Sequence, residues 1–196
     1  MDTDERRAQL LELGMDLFAE RPFDDVSIDD IAQAAGVSKG LLYHYFGSKR
    51  AYYVETVRVG CEALLEACYI GLDLPIPDRA RWGITAYLDF AAQHGAAYLV
   101  VLKSGVGVDA QVVEILEATR RTFSLRMLEG LGVAPDRPVF RTLARTWVGS
   151  VEAATMDWLE HQDIDRDTMI ELLLRMLGDL VATAVAFDPE ANVNLP

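Results

Sequence analysis

The feature that most constrains the fold is the stretch from Ser27 to Arg50, which reads SIDDIAQAAGVSKGLLYHYFGSKR. A short segment with apolar residues at helical spacing leads to Gly36, and a second short segment opens at Ser38. Glycine readily adopts the left-handed conformation that ends a helix, and serine caps the start of the next one. Two short helices joined so closely make a helix-turn-helix, which we place at residues 27–46.

The first helix of this motif carries its own start signal. Ser27 is predicted to be the N-cap, and Asp30 stands at the capping-box position that glutamate or glutamine usually fills. Asp29 and Asp30 also complement the positive end of the helix dipole. These residues predict that the helix begins directly after Ser27.

The second helix is predicted to present a polar and aromatic outer face. Its apolar residues Val37, Leu42 and Phe46 suit the interior, which turns the other residues outward. Glycine within a helix costs about 1 kcal/mol relative to alanine, and a second surface that approaches the backbone at Gly40 would account for its presence. The outward residues are Ser38, Lys39, Gly40, Tyr43 and His44, with Tyr45 at the margin.

The charge of the chain restricts where nucleic acid could bind. The net charge is −13, which argues against general affinity for DNA. Nevertheless, the segment from Val37 to Val54 carries Lys39, Lys49 and Arg50 and no acid. Lys49 and Arg50 fall in the first turn of the next helix, where cations oppose the dipole and a phosphate would resolve the conflict. Any DNA binding must therefore come from this local surface.

The pattern V-S-I-x-x-I-A-x-x-A-G-V-S-K-G-x-L-Y-x-Y-F-x-S-K over residues 26–49 resembles the TetR family of bacterial transcription regulators. It departs from the family at Arg50, where glutamate is common, and in the four aspartates beside the motif, which reduce the expected number of phosphate contacts. The resemblance implies that a double-stranded DNA operator is met by Ser27, Ser38, Lys39, Gly40, Tyr43, His44, Tyr45 and Lys49, with Arg50 as a further phosphate contact.

The rest of the chain continues with helical periodicity and without a predicted strand. Together with the resemblance, this predicts an all-α protein of about nine helices. The expected organisation is a helix-turn-helix DNA-binding domain at 4–64, a larger helical regulatory and dimerisation domain at 65–187 and a flexible tail at 188–196. Individual helices are predicted at 4–20, 48–69, 79–94, 95–103, 109–130, 139–162 and 165–187.

Dimerisation is predicted from the last two helices. The segment MIELLLRMLGDLVATAV is apolar nearly all round, so it must be covered on two sides. One side is the core of the chain, and a second copy of the chain is expected to cover the other. The small residues Gly149, Ala153, Gly178 and Ala182 would permit close contact between helices. A homodimer through 139–162 and 165–187 is therefore expected.

A small effector is expected inside the larger domain, as the resemblance implies. Ordinary helical core is the alternative interpretation for each candidate residue. Glu152, in an otherwise uncharged run, is either a polar anchor in the pocket or a solvent-facing acid. A hydrophobic or aromatic ligand is predicted, and the helix at 48–69 would transmit its effect. The remaining candidates are apolar or aromatic: Tyr69, Trp82, Tyr87, Phe90, Tyr98, Phe123, Met127, Trp147 and Trp158.

Other classes of function find little support in the sequence. Cys61 and Cys68 are seven apart in one predicted helix, so their Cα atoms would be roughly 10 Å apart, too far for a disulfide. No metal-ligand spacing, cofactor motif or nucleophile–base pattern is recognisable, and no apolar run or leader sequence suggests a membrane or secretion. A cytoplasmic repressor released by a ligand is therefore predicted. The alternatives are an activator, a regulator without a ligand, a protein-interaction module and an enzyme.

Overall fold

The computed structural model describes residues 3–69, 74–95, 109–191 and 193. Within these ranges the chain forms eight α-helices and no strand, which confirms the all-α prediction. The predicted short helix at 95–103 lies almost wholly outside the described residues. The helices are α1 (Thr3–Glu20), α2 (Ile28–Ala35), α3 (Lys39–Phe46), α4 (Lys49–Ala67), α5 (Ile76–Gln93), α6 (Ala110–Leu131), α7 (Pro138–His161) and α8 (Arg166–Phe187), with short 3₁₀ helices at Phe23–Asp25 and Pro189–Ala191.

The chain is divided into two compact units. The N-terminal unit draws on Met1–Ala63 and Gln93–Leu116, and the C-terminal unit draws on Leu64–Ala92 and Glu117–Pro196. Because of this division, α4 and α6 each begin in the N-terminal unit and end in the C-terminal unit. The N-terminal unit therefore includes the first turns of α6 in addition to the helix-turn-helix.

The helix-turn-helix forms through the local signals that the sequence carries. The hydroxyl oxygen Oγ of Ser27 accepts a hydrogen bond from the backbone N–H of Asp30 at 3.1 Å, and the carboxylate of Asp30 accepts one from the Ser27 N–H at 2.8 Å. Gly36 ends α2 with φ of 62° and ψ of 34°. Ser38 then caps α3 by accepting from the N–H of Leu41 at 3.2 Å. The predicted capping box and turn are confirmed.

An aromatic cluster holds α1, α3 and α4 together in the N-terminal unit. Tyr52 is fully buried, and its ring lies 4.8 Å from the ring of Phe46 and 5.9 Å from that of Phe18, measured between centroids. Its hydroxyl donates to the backbone carbonyl of Leu10, and burial raises the pKa of Tyr52 well above its usual range. Val112 of α6 is also fully buried in this core. The exposed face of α3 is therefore backed by a rigid apolar layer.

The C-terminal unit has its own core between α6, α7 and α8. Phe140, Ala144 and Ala184 are among its buried members. Ala191, which lies in the predicted flexible tail, is buried in the same cluster. Arg137, at the start of α7, donates to the carboxylate of Asp188 at 2.5 Å. These contacts hold residues 188–191 in place and correct the expectation of flexibility for them.

Two further local predictions differ from the structure. The sequence places Asp78 as an N-cap, whereas α5 begins at Ile76 and has Asp78 in its first turn. Pro77 is accommodated because the first residues of a helix have no intrahelical partner for their N–H groups. Helical spacing predicts that Glu117 pairs with Arg121, four residues further along its own helix. In the structure, Glu117 instead contacts Arg120 and Arg145, both at 2.6 Å. The prediction considered only one helix, and Arg145 comes from a different one.

Candidate DNA-binding surface and effector cavity

The outer face of α3 carries the residues predicted to lie there. Lys39, Tyr43 and His44 are exposed, with the Tyr43 side chain 48% accessible. Ser38 and Gly40 are exposed beside them. Leu42 and Phe46, on the opposite face, are buried. The predicted orientation of this helix is therefore confirmed.

Gly40 has no structural reason to be a glycine. A Cβ atom built on Gly40 would come no closer than 3.8 Å to another group, the Oγ of Ser38. The helix would therefore accept alanine at this position, which is intrinsically better in a helix. The open space above the backbone at Gly40 is the geometry that a closely approaching surface requires.

Two of the candidate cations have partners within the N-terminal unit. Lys39 forms an ion pair with the carboxylate of Asp29, and both side chains are more than half exposed, at 54% and 62%. The ammonium of Lys49 lies over the ring of Phe23, 4.1 Å from its centroid. Exposed ion pairs are worth about 0–1 kcal/mol, so Lys39 can leave Asp29 for a phosphate at small cost. Neither contact was predicted from the sequence.

Arg50 is held by a carboxylate far away in the sequence. Its guanidinium makes two hydrogen bonds to Asp109, one of them from Nη2 to Oδ1 at 2.8 Å. Asp109 also caps α6 by accepting from the N–H of Gln111 at 2.9 Å. The hydrogen bonds between them raise the pKa of Arg50 and lower the pKa of Asp109. Arg50 is thus exposed but bound to Asp109, whereas the sequence suggests that its guanidinium is available to contact a phosphate.

Ser27 and Tyr45 are less available than the other candidates. The Ser27 hydroxyl is occupied in the capping box, where it also donates to the carboxylate of Asp30 at 2.8 Å. Tyr45 is half-buried and packs against the core, with its ring 5.7 Å from the ring of His44. Their predicted contact with DNA stays a prediction. The exposed residues Lys39, Tyr43 and His44 are better placed to contact DNA.

The C-terminal unit contains a cavity of about 280 Å³, just below the range typical of small-molecule sites. Five of the residues predicted from the sequence lie together at the wall of this cavity: Tyr69, Tyr87, Phe123, Met127 and Trp147. The ring of Tyr87 lies 6.0 Å from that of Phe123 in an edge-on arrangement. These five residues therefore form one surface, as a pocket requires.

Three predicted pocket residues, Trp82, Phe90 and Glu152, do not line this cavity. The side chain of Trp82 is 51% exposed on α5. Trp158, also considered, donates from its indole N–H to the carbonyl of Ile164 at 2.9 Å. Helical periodicity selects an apolar side of a helix but does not distinguish the cavity wall from other surfaces. Tyr98 lies outside the described residues.

Glu152 fits neither of the interpretations considered for it. Its two carboxylate oxygens accept from Nε of Arg120 at 2.8 and 2.9 Å, and its side chain is only 17% exposed. Burial alone would lower the pKa of Arg120, but the hydrogen bonds that it donates to Glu152 and Glu117 outweigh that effect and raise the pKa. Glu152 is therefore part of an ion-pair network that joins α6 to α7, and its assignment as a pocket anchor is wrong.

The polar residues of the cavity wall are different ones, which the sequence analysis missed. Arg79, Arg126 and Glu129 line it, together with the thiol of Cys68. Burial raises the pKa of Cys68 to about 12, so the thiol stays protonated. Arg79 is the fourth residue of α5, close to the positive end of the helix dipole, and this unfavourable position is the signal that could have drawn attention to it.

The described residues form only helices, and they include an exposed polar helix that follows a glycine turn and a second unit that contains a cavity. These features define a helix-turn-helix DNA-binding protein. Residues 10–55 match the family model described as "Bacterial regulatory proteins, tetR family". Residues 77–178 match the one described as "Tetracyclin repressor-like, C-terminal domain". The chain belongs to the TetR family of transcriptional regulators.

Individual relatives agree with this assignment. The chain is 33% identical over 184 residues to the HTH-type transcriptional repressor KstR2 of Rhodococcus jostii, covering 92% of this chain and 78% of that protein. It is 25% identical over 175 residues to the HTH-type transcriptional activator FasR of Mycolicibacterium smegmatis, covering 86% of this chain and 79% of that one. Both relatives are named as transcriptional regulators, which agrees with the family that the two models define.

A solved structure supports the fold along nearly the whole chain. A TetR-family transcriptional regulator from Streptomyces coelicolor superposes with a TM-score of 0.89 at 28% identity, over 97% of this chain and 86% of that one. Within the described residues, no group of three or more acids, histidines or cysteines could hold a metal ion. Among the same residues, no helix is both long and apolar enough to cross a lipid bilayer.

Proposed function

We propose that the protein is a homodimeric repressor that binds a palindromic operator through α3 and releases it when a small ligand occupies the cavity of the C-terminal unit. The observation that carries the DNA-binding part is the exposed, acid-free outer face of α3. Lys39, Tyr43 and His44 stand on it with their side chains in solvent, and the open backbone at Gly40 lies among them. Such a face suits the major groove, where a recognition helix meets base edges and phosphates.

A homodimer is supported by the outer surfaces of α7 and α8. Gly149 and Ala153 on α7, and Gly178 and Ala182 on α8, are all exposed. A Cβ atom built on Gly149 or Gly178 would meet nothing within 4 Å. A second copy of the same surface is the simplest occupant of this space. Two recognition helices would then read half-sites about 34–36 Å apart.

A ligand response is supported by the helices that the two units share. α6 supplies Phe123 and Met127 to the cavity and, at its other end, Asp109 to Arg50. α4 begins with Lys49 and continues into the C-terminal unit. A ligand changes DNA affinity only by favouring one arrangement of these helices over another. We therefore propose that α4 and α6 carry the effect of the ligand.

Repression is the proposed sign of regulation because the chain is 33% identical to a relative named as a repressor over 92% of its length. The activator FasR is similar over a comparable length at 25% identity, so activation is the second candidate. Binding to chromosomal operators places the protein in the cytoplasm under either proposal.

The function is tested by binding to the DNA upstream of its own gene, with a scrambled fragment of equal length as the control. We expect a palindrome-dependent shift in electrophoretic mobility with two protein chains per site, and a moderate loss of affinity with salt, because few phosphate contacts are expected. Equal binding to both fragments would contradict sequence-specific regulation. A reporter gene driven by the same fragment distinguishes repression from activation by the direction in which its output changes.

Releasing Arg50 from Asp109 is expected to strengthen DNA binding. In Asp109→Asn the new amide still caps α6, because asparagine is as good an N-cap as aspartate, but the negative charge is gone. We expect affinity to rise several-fold and the slope of log affinity against log salt to steepen by about 2 per dimer, one phosphate for each Arg50. Fluorescence anisotropy across a salt series measures both quantities.

The matched control for this prediction is Asp89→Asn. Asp89 accepts two hydrogen bonds from Arg166, both at 2.6 Å, within the C-terminal unit. It therefore loses the same charge from the same kind of ion pair. An unchanged salt slope in Asp109→Asn, or an equal rise in affinity in both variants, would show that Arg50 is not a phosphate contact.

A further inference from the structure

Arg79 has a buried donor that no described residue satisfies. Its Nη2 donates to the backbone carbonyl of Gly130 at 2.9 Å. Its Nε is buried and has no acceptor within hydrogen-bonding distance among the described residues. A buried donor without a partner is costly, and more so on a charged group. The wall of the cavity that contains Arg79 is therefore incomplete without an acceptor.

The charge around this donor is predominantly positive. Arg126 lines the same cavity; it donates to the carbonyl of Leu65 at 2.6 Å and lies 5.1 Å from the centroid of the Tyr69 ring. Among the described residues, Glu129 is the acid that lines the cavity, and it is exposed. Neither guanidinium forms an ion pair with a carboxylate of the described residues. Two cations against one solvated acid favour a negatively charged occupant.

A purely structural role explains only part of this arrangement. Gly130 lies in the last turn of α6, where a cation is favourable and a free carbonyl needs a donor. The hydrogen bond from Arg79 to Gly130 meets that need with a single N–H group. It leaves Nε without an acceptor in a wall that is otherwise mostly apolar. An anion that accepts from Nε would satisfy the donor and neutralise the charge together.

We propose that the cavity binds an amphipathic anion, with its carboxylate or phosphate on Arg79 and its apolar body against Tyr87, Phe123 and Trp147. This proposal rests on the ligand response proposed above and specifies the chemical class of the ligand. At roughly 30 Å³ for each heavy atom, taken from the volume of a water molecule, the cavity of about 280 Å³ accommodates about nine such atoms. A medium-chain or single-ring acid has this size.

The test compares ligands that share one apolar chain and differ in charge. Hexanoate, pentyl phosphate and neutral hexanamide, which all carry a pentyl chain, are titrated into the purified full-length protein by calorimetry, without DNA. We expect hexanoate or pentyl phosphate to bind roughly tenfold to 100-fold more tightly than hexanamide, the range of a charge-assisted hydrogen bond. The anion that binds more tightly identifies the head group. Equal binding of all three, or no binding of either anion, would overturn the proposal.

Variants then assign the effect to Arg79. Arg79→Gln is expected to remove the preference for the anions and to leave hexanamide affinity within about twofold, because the apolar wall is intact. The control Arg81→Gln changes the same charge on α5, but Arg81 is exposed and pairs with Glu171 at 2.7 Å, so the preference should remain. Equal loss of anion and amide binding in a folded Arg79→Gln protein would show a structural role only.

A second variant and a measurement without DNA distinguish loss of anion binding from misfolding and from loss of operator binding. If Arg79→Gln does not fold, Arg79→Lys keeps the charge and should retain part of the preference, whereas complete loss in that folded variant would contradict a charge-based site. The proposal is tested without DNA, so failure of operator binding leaves the calorimetric result interpretable. If the anions bind and DNA affinity does not change, the site stands and the ligand-released repressor is refuted.

Discussion

Replacing Lys39 and Tyr43 together by alanine is expected to reduce operator affinity about 100-fold or more. Both side chains are exposed on the same face of α3. A phosphate contact and a base or sugar contact are each worth on the order of 1–3 kcal/mol, and a dimer loses both of them twice. The helix itself should persist, because Leu42 and Phe46 keep their buried positions and alanine favours helix.

The control for this variant is Arg81→Ala with Trp82→Ala. This pair also combines a cation with an exposed aromatic residue, here at adjacent positions of α5, and Trp82 is as accessible as Tyr43, at 51% against 48%. It belongs to the C-terminal unit and is not part of the helix-turn-helix. Anisotropy with a labelled operator measures both variants, and circular dichroism verifies that they fold. A loss of operator affinity of less than about threefold in Lys39→Ala with Tyr43→Ala would refute α3 as the helix that contacts the operator. A loss of about threefold corresponds to less free energy than the loss of a single contact.

The helix-turn-helix could be predicted closely because its signals are local. The Ser27–Asp30 capping box, the left-handed Gly36 and the cap at Ser38 each involve residues within a few positions of one another. Their hydrogen bonds form wherever these residues occur together in a helix start or end. The buried face of α3 follows from helical spacing alone.

The partners of the charged residues could not be predicted, because they depend on how separate helices pack. Arg50 and Asp109 are 59 positions apart, and Arg120 and Glu152 are 32 apart. Periodicity gives the face on which each residue lies but not the helix that it faces. For the same reason Glu152 was mistaken for a pocket residue, while Arg79 and Arg126 were overlooked.

The cavity was predicted in part, since its aromatic residues fall on apolar helix faces. Tyr87, Phe123 and Trp147 were identified in this way and do line it. Trp82 shares the helix of Tyr87 but not its face, and it is exposed. Sequence periodicity therefore identified which helices surround the cavity more reliably than which side chains enter it.

Adding one methyl group at Gly14 is expected to destabilise the N-terminal unit more than any surface change considered above. A Cβ atom at Gly14 would lie 2.6 Å from Oγ1 of Thr56 and 2.6 Å from the hydroxyl of Tyr52. Neither neighbour can withdraw easily. Both are buried, at 3% and 0% exposure; the Tyr52 hydroxyl donates to the carbonyl of Leu10 and the Thr56 hydroxyl to that of Tyr52.

We therefore expect Gly14→Ala to lower the free energy of unfolding by about 2–3 kcal/mol, because overpacking outweighs the helix propensity gained by alanine. The matched variant is Gly40→Ala, whose Cβ atom has open space. This variant should raise the free energy of unfolding by up to about 1 kcal/mol. Urea denaturation followed by circular dichroism measures both. Gly40→Ala should nevertheless weaken operator binding, since its methyl group occupies the surface that DNA approaches. Gly40→Ala is therefore expected to raise stability and lower operator affinity, whereas Gly14→Ala is expected to lower stability. This difference would show that Gly14 is required for folding and Gly40 for DNA binding.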